Sequence, residues 1–468
     1  MFDEMRGDRA GVRLPYEKIN QWLEKAGPEL LQQKSAEIEA IFRRIGITFA
    51  VYGEGGDPER LIPFDIVPRV FSASEWRKLS RGVIQRARAL NAFLYDVYHR
   101  GEILKKGIIP ESLVYQNKAF LPQMIGVTPP GKVYSHIVGV DIVRTGENEF
   151  YVLEDNCRTP SGVSYMLENR EIMLRMFPEL FSSNAVEDID EYPGALRRTL
   201  EDVAPLSASR VPTCVLMTPG PFNSAYYEHS LLADLMGIEL VEAYDLFVDH
   251  DKVWMKTTKG PKQIDVIYRR IDDDFLDPLV FRPDSMLGVP GLFHAYCKGN
   301  VTLCSAPGSG IADDKAIYMY VPQMISFYLG ETPILENIPT WYCAKDDDLK
   351  YVLEHLDELV VKEVHGSGGY GMLIGPHETK ENIELYRRRI EVNPAEFIAQ
   401  PTLQLSTCPT MKDGEAVSRH VDFRPFCLVG KQTCLVPGGL TRVALREGSL
   451  VVNSSQGGGV KDTWILTE

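Results

Sequence analysis

The chain has 468 residues, 44% of them apolar and 25% charged, with a formal net charge of −15. That length exceeds one ordinary core and predicts two or three domains. The charge argues against a groove that tracks nucleic-acid phosphates, so no nucleic-acid partner is expected. No run approaches the roughly 20 apolar residues that a membrane helix needs, and MFDEMRGDRAGVRLP lacks the apolar core of a secretory signal. No membrane partner is expected, and the expected compartment is the cytoplasm. The eight cysteines are scattered without CxxC spacing and read as small buried hydrophobes.

Residues 1–115 form the first expected unit, mainly helical. Apolar residues recur every three or four positions in WLEKAGPELLQQKSAEIEAIFRRIG and WRKLSRGVIQRARALNAFLYDVYHRG. Ser74-Glu75 marks a helix start and Gly101 a stop, with short strands between the two helices. Residues 116–200 hold a hairpin, HIVGVDIV and EFYVLEDN joined by RTGEN, and then the helix YMLENREIMLRMF. Within residues 201–310, VPTCVLMTPG, the helix around HSLLADLMG and IELVEAY make a β-α-β pass that QIDVIYRRID extends. Residues 311–468 begin with one helix, KAIYMYVPQMISFYLG. Strands LVVKEV and GMLIG follow around a glycine turn, then a helix, strand EFIAQP and a β-rich end.

In the hairpin, Glu154 and Asn156 are two apart on a strand and leave the same face. A turn centred on Glu147 and Asn148 sets opposite each other those residues whose numbers add to about 295, so Asp141 faces Glu154. Two facing carboxylates are unfavourable without a cation between them. With the amide oxygen of Asn156 they make an all-oxygen set suited to Mg²⁺ shared with phosphates.

The run from His365 to Gly371, HGSGGYG, fits GxGxxG, but a β-type run follows where a dinucleotide fold needs a helix. No Lys-Ser or Lys-Thr follows as a P-loop would require. A glycine-rich hairpin tip remains, able to lie over phosphates through its N–H groups. Lys362, in the apolar strand before it, needs an anion or water for its ammonium. Arg270, in the strand-end run YRRID, stands where open sheets place ligand groups and is a candidate for holding a substrate carboxylate.

These segments together resemble the ATP-grasp superfamily. Asp141 and the run from Glu154 to Gly162, EDNCRTPSG, are similar to its metal-binding strands. Asp314-Lys315 is similar to its phosphate-contacting Asp-Lys, and Lys362 with the following loop to its lysine and flexible glycine loop. The strand ending in Gln400-Pro401 resembles its adenine hinge, and Asn453 to Gly458 the segment that ordinarily precedes the metal strands. Here the metal hairpin precedes the glycine loop instead of following it, an order that looks like the circularly permuted group, relatives of the glutathionylspermidine synthetases.

The resemblance implies an α+β to α/β fold: a permuted ATP-grasp domain, metal-binding in 116–200 and nucleotide-binding in 311–468. An open α/β substrate-side domain would span 201–310, beside a helical N-terminal region. It implies ATP and Mg²⁺ as cofactors, and amide formation between a small-molecule or peptide carboxylate and an amine through an acyl phosphate. Asp141, Glu154 and Asn156 would hold the metal. Lys315, Lys362, Gly366, Ser367, Gly368, Gly369, Gly371 and Gln400 would hold the nucleotide. Arg424 and Arg442 would act on the transferring phosphoryl group, and Arg158, Ser161 and Arg270 would meet the substrate. The alternatives are a kinase-like or protein-modifying use of the same fold, or a nucleotide-binding scaffold without catalysis.

Overall fold

The computed structural model describes the chain except residues 8–10, 47, 51–58, 210, 367–370, 413, 453–456 and 468. The two amphipathic patterns near the start fold as helices Glu17–Ile45 and Ala73–Val97. The second begins one residue before the expected Ser74. Ser72 is its cap: its hydroxyl accepts from the Glu75 N–H at 3.2 Å, and the Glu75 carboxylate accepts from the Ser72 N–H at 2.9 Å. That reciprocal box satisfies two orphan donors, which Ser74 cannot do from inside the first turn. Leu79, Val83, Leu90, Phe93 and Leu94 bury the inner face of this helix in the largest core cluster.

A ten-stranded sheet forms the centre. Its main path runs Glu336–Asn337, Glu149–Asn156, Ile137–Gly146, Glu415–Arg424, Leu440–Val443, Gly459–Ile465 and Phe64–Phe71. The strand Phe64–Phe71, from the region expected to be mainly helical, lies parallel to Gly459–Ile465. The expected hairpin is Ile137–Gly146 against Glu149–Asn156, with Asp141 opposite Glu154, Val140 opposite Asp155 and Gly139 opposite Asn156. Beyond Asp141 a bulge shifts the register, so that Ile142 faces Val152.

The expected β-α-β pass is present. Cys214–Met217, helix Tyr226–Met236 and Glu239–Val241 join Val266–Arg269 and Thr302–Cys304 in a four-stranded parallel sheet. A second four-stranded sheet, antiparallel, orders Trp341–Tyr342, Phe397–Pro401, Leu359–Glu363 and Leu373–Ile374. Helices Asp346–Glu354 and Lys380–Val392 cover it around a core of Val352, Leu359, Val361, Leu373, Ile390 and Phe397. The helix expected from Lys315 onward is broken into Lys315–Tyr318, Val321–Met324 and a π-turn Ile325–Leu329. Pro322, at the start of the second piece, has no N–H to continue the first.

All eight cysteines are free; six are buried, as expected, and Cys297 and Cys434 are exposed. Among the described residues no helix is long and apolar enough to cross a membrane.

Candidate active site

The site begins where strand alternation concentrates charge. Asp422 and Arg424 are two apart on one strand and share a face. Arg442 stands directly across from Asp422 on the next strand, while the strand carrying Asp141 flanks the other side through Phe423 and Ile142. Asp141 is fully buried. Arg424 gives it two hydrogen bonds, one to each oxygen, with Nη2 to Oδ2 at 2.7 Å. Arg442 adds a third to Oδ2 at 2.6 Å and binds Asp422 through Nε at 2.9 Å. Burial pushes the Asp141 carboxyl up, but Arg424 and Arg442 outweigh it and hold the group well below the usual carboxylate range. Asp422 goes the other way: burial raises it, and the neighbouring Asp141 charge adds to that.

Glu154, facing Asp141, is more open. Its nearest cations are Lys315 at 3.6 Å and Arg424 at 3.9 Å. Lys315 opens a short helix capped by Asp314, whose carboxylate accepts from the Ala316 N–H at 2.8 Å and the Ile317 N–H at 3.0 Å. The Lys315 ammonium also donates to the carbonyl of Gly366. The acidic hairpin and the start of the glycine loop therefore meet at one lysine. Lys362 donates to Gln400 Oε1 at 2.8 Å, and Gln400 donates in turn to Thr340 Oγ1 at 3.0 Å. Desolvation brings the Lys362 ammonium down to about 8, with the positive charge of Lys315 adding to the effect and Glu154 and Asp141 opposing it.

Two clefts adjoin here. The first has Asp141, Lys362 and Gln400 on its polar side and Ile338, Val360, Met372, Ile374, Leu403 and Leu450 among its apolar walls. The second, about 610 Å³, holds Asn156, Arg158, Ser161 and Arg424, and that volume lies in the range of small-molecule sites. Glu154, Lys315, Gly366 and Arg442 line both.

The remaining candidates are placed as follows. Arg158 pairs with Asp272 at 3.1 Å and approaches Asp313 at 3.8 Å. The Ser161 carbonyl accepts from Arg424 Nη1 at 3.1 Å. Arg270 lines neither cleft. It is buried, with its guanidinium on Glu228 at 3.0 Å and the Pro160 carbonyl at 2.8 Å, so the group expected to meet substrate is spent inside the protein. Gly371 is exposed at φ +67° beside Glu363, which lines the first cleft, but is not itself a lining residue of either cleft. Ser367, Gly368, Gly369 and the run 453–456 lie outside the described residues. Cys157 is buried with its thiol raised far above the ordinary value by desolvation, consistent with packing.

Sequence reasoning passed over Asp422 and Glu228. Asp422-x-Arg424 repeats the two-residue spacing of Glu154-x-Asn156 and was the available signal; nothing local marks Glu228.

Among the described residues no three His, Cys, Asp or Glu side chains gather into a metal cage. A cation here would need amide or phosphate oxygens as well. Glu154 and Asn156, both partly open, fit that requirement. Asp141, fully buried and holding three arginine hydrogen bonds, is the least open of the three expected ligands.

Residues 68–444 match the family described as circularly permuted ATP-grasp type 2. An uncharacterized protein of Synechocystis sp. is 50% identical over 446 residues, 95% of this chain and 92% of its own length. One of Mycobacterium tuberculosis is 49% identical over 99% of this chain and 84% of its own. A Frankia alni protein provisionally named glutamate–cysteine ligase 2-3 is 40% identical, and this chain spans 54% of its length. The structure of a glutathione synthetase-like effector from Globodera pallida superposes with a TM-score of 0.61, covering 94% of this chain and 98% of that one; at 11% identity the likeness is one of fold. The match runs from within the strand Phe64–Phe71 through both clefts to Ala444, and the chain belongs to the circularly permuted ATP-grasp type 2 family.

Proposed function

We propose that this chain is an ATP-dependent ligase that activates a carboxylate as an acyl phosphate and joins it to an amine. The observation that carries the reading is the shared border: Glu154, Lys315, Gly366 and Arg442 line both the cleft with apolar walls and the larger cleft beside it. A phosphoryl group handed from a nucleotide in the first to an acid in the second would cross that border.

Four cations, Lys315, Lys362, Arg424 and Arg442, face three carboxylates, Asp141, Glu154 and Asp422. One net positive charge cannot balance the roughly four negative charges of ATP, so divalent cations complete the neutralisation. Glu154 and Asn156 would hold Mg²⁺, which supplies charge neutralisation at the phosphates.

Lys362 lies below its ordinary value because its charge is desolvated, and a phosphate oxygen gives that charge a partner. Lys315 would hold a phosphate oxygen at the border, beside Gly366, whose carbonyl it meets where the glycine run begins. Gln400, which accepts from Lys362, would meet the base or ribose. Arg442 and Arg424, each with one edge anchored on Asp141 or Asp422, would turn their remaining N–H groups to the transferring group. Arg158 and Ser161 would orient the acid. Its carboxylate oxygen attacks the γ-phosphorus and ADP leaves. The amine nitrogen then attacks the acyl carbon, loses a proton, and phosphate leaves. A reaction supplied by ATP also suits the cytoplasmic placement expected from the sequence.

The test is a phosphate-release screen over amino acids, γ-glutamyl peptides and amines, with Lys362→Ala as blank. Glutamate with cysteine is the first pair, given the name carried by the Frankia relative. Acid- and amine-dependent ADP and phosphate support the reading; AMP and pyrophosphate overturn the acyl-phosphate route.

A further inference from the structure

We infer that Glu228 and Arg270 are positioning residues: a buried ion pair that fixes the loop Pro160–Gly162 with the start of the helix Val163–Met176 and, through the Ser161 carbonyl, aims Arg424. The inference rests on the role proposed above for Arg424 at the transferring phosphoryl group.

The loop leaves the hairpin after Asn156 and forms part of the wall of the second cleft. It is gripped on both sides of Ser161. Ahead of it, Arg270 Nη1 donates to the Pro160 carbonyl at 2.8 Å. Behind it, Glu228 Oε2 accepts from the Gly162 N–H at 2.7 Å, and from the N–H and hydroxyl of Ser164, each at 3.1 Å. The second oxygen of Glu228 takes Arg270 Nη2 at 3.0 Å, so one buried carboxylate and one buried guanidinium hold three alternate residues, Pro160, Gly162 and Ser164. Between the two grips the Ser161 carbonyl accepts from Arg424 Nη1, the same guanidinium that binds Asp141.

Two glycines let the loop press onto the central sheet. A Cβ at Gly162, where φ is +118°, would meet the Leu440 side chain at 2.6 Å, and one at Gly139 would meet Pro160 at 2.9 Å. Glu228 stands on the helix Tyr226–Met236 and Arg270 just past the strand Val266–Arg269, both belonging to the parallel sheet layer. The pair lines neither cleft. It acts by carrying the position of the α/β layer to an arginine of the central sheet, and a misplacement of about 1 Å at such a group can cost roughly a hundredfold in rate.

The test compares wild type, Glu228→Gln and the uncharged pair Glu228→Gln/Arg270→Met, because a lone buried charge in a single variant can unfold the protein. Thermal midpoint, ADP affinity by calorimetry, hydrogen exchange at the Gly162 and Ser164 amides, and kcat with KM for ATP are measured on each. The expected result for the paired variant is a midpoint near wild type, an ADP Kd within about twofold and faster exchange at both amides. Its kcat should fall about 10- to 100-fold with KM for ATP unchanged. A paired variant with wild-type kcat, or with unchanged exchange at both amides, overturns the clamp alone. Loss of ADP binding in step with the midpoint also overturns it, since that is a merely structural effect. A wild type that turns over no acid–amine pair overturns the functional reading, and the clamp's role with it.

Discussion

Replacing Lys362 with Met tests the nucleotide reading through pH. In the free protein desolvation, helped by Lys315, brings this ammonium from an ordinary value of 10.5 to about 8. A bound phosphate favours the charged form and returns it towards the ordinary value. The sign follows: the free state loses its proton as pH rises through about 8 while the complex keeps it, so affinity is full below that value and falls between the two. If binding restores the ordinary value fully, ADP affinity drops about 8-fold from pH 7.5 to pH 9 and about 60-fold by pH 10. The first step corresponds to about 1.2 kcal/mol. Near pH 9 each binding event takes up about 0.9 proton. Calorimetry in buffers of different ionisation enthalpy measures that uptake directly. Lys362→Met should bind ADP weakly with a flat profile over the same range. A wild type that takes up no proton near pH 9, or a Met variant with the wild-type slope, refutes the placement of phosphate at Lys362.

Asp141→Asn leaves Arg424 and Arg442 facing a neutral group in a buried place. Urea unfolding should show a loss of about 3–5 kcal/mol, and a loss under about 1 would remove Asp141 as their anchor. Glu4, fully buried between Arg69, Arg144 and Ser406, is held at about 2 against an ordinary 4.5, the two arginines outweighing burial. Its stabilisation is present above the ordinary value and lost as pH falls through the folded one. Glu4→Gln should therefore cost about 3 kcal/mol near neutral pH and about 2 at pH 3.5, as read by urea unfolding at each pH. Gly162→Ala sets a side chain at φ +118° against Leu440; a lowered thermal midpoint, from about 1–3 kcal/mol of strain, should accompany slower turnover.

The hairpin shows how much of the site was legible in the chain. Asp141 does face Glu154, as the turn centre implies, although two irregularities, between Gly146 and Arg144 and between Ile142 and Asp141, shift the register by one and then restore it. Lys362 was visible as a cation in an apolar strand and Lys315 through the family resemblance of Asp314-Lys315, and both lie beside that hairpin. The hold on Asp141 was not legible. It depends on Arg424 and Arg442, some 280 and 300 positions away, and on the strands of Asp141 and Arg442 falling on either side of the one that carries Asp422 and Arg424. Arg270 was found for its place at a strand end, but its partners are a helix residue and a loop carbonyl that no spacing rule connects. The parallel pairing of Phe64–Phe71 with Gly459–Ile465 was likewise beyond local pattern, since nothing between those segments records it.

The wall common to the two clefts also has a thermodynamic consequence. A guest in either one changes the charge felt at Glu154, Lys315 and Arg442, and so the welcome offered to a guest in the other. Such linkage is reciprocal: whatever factor the first guest imposes on the second, the second returns in equal measure. Coupled filling of the two clefts is therefore the expected outcome, and titrations in opposite orders should close the same thermodynamic box.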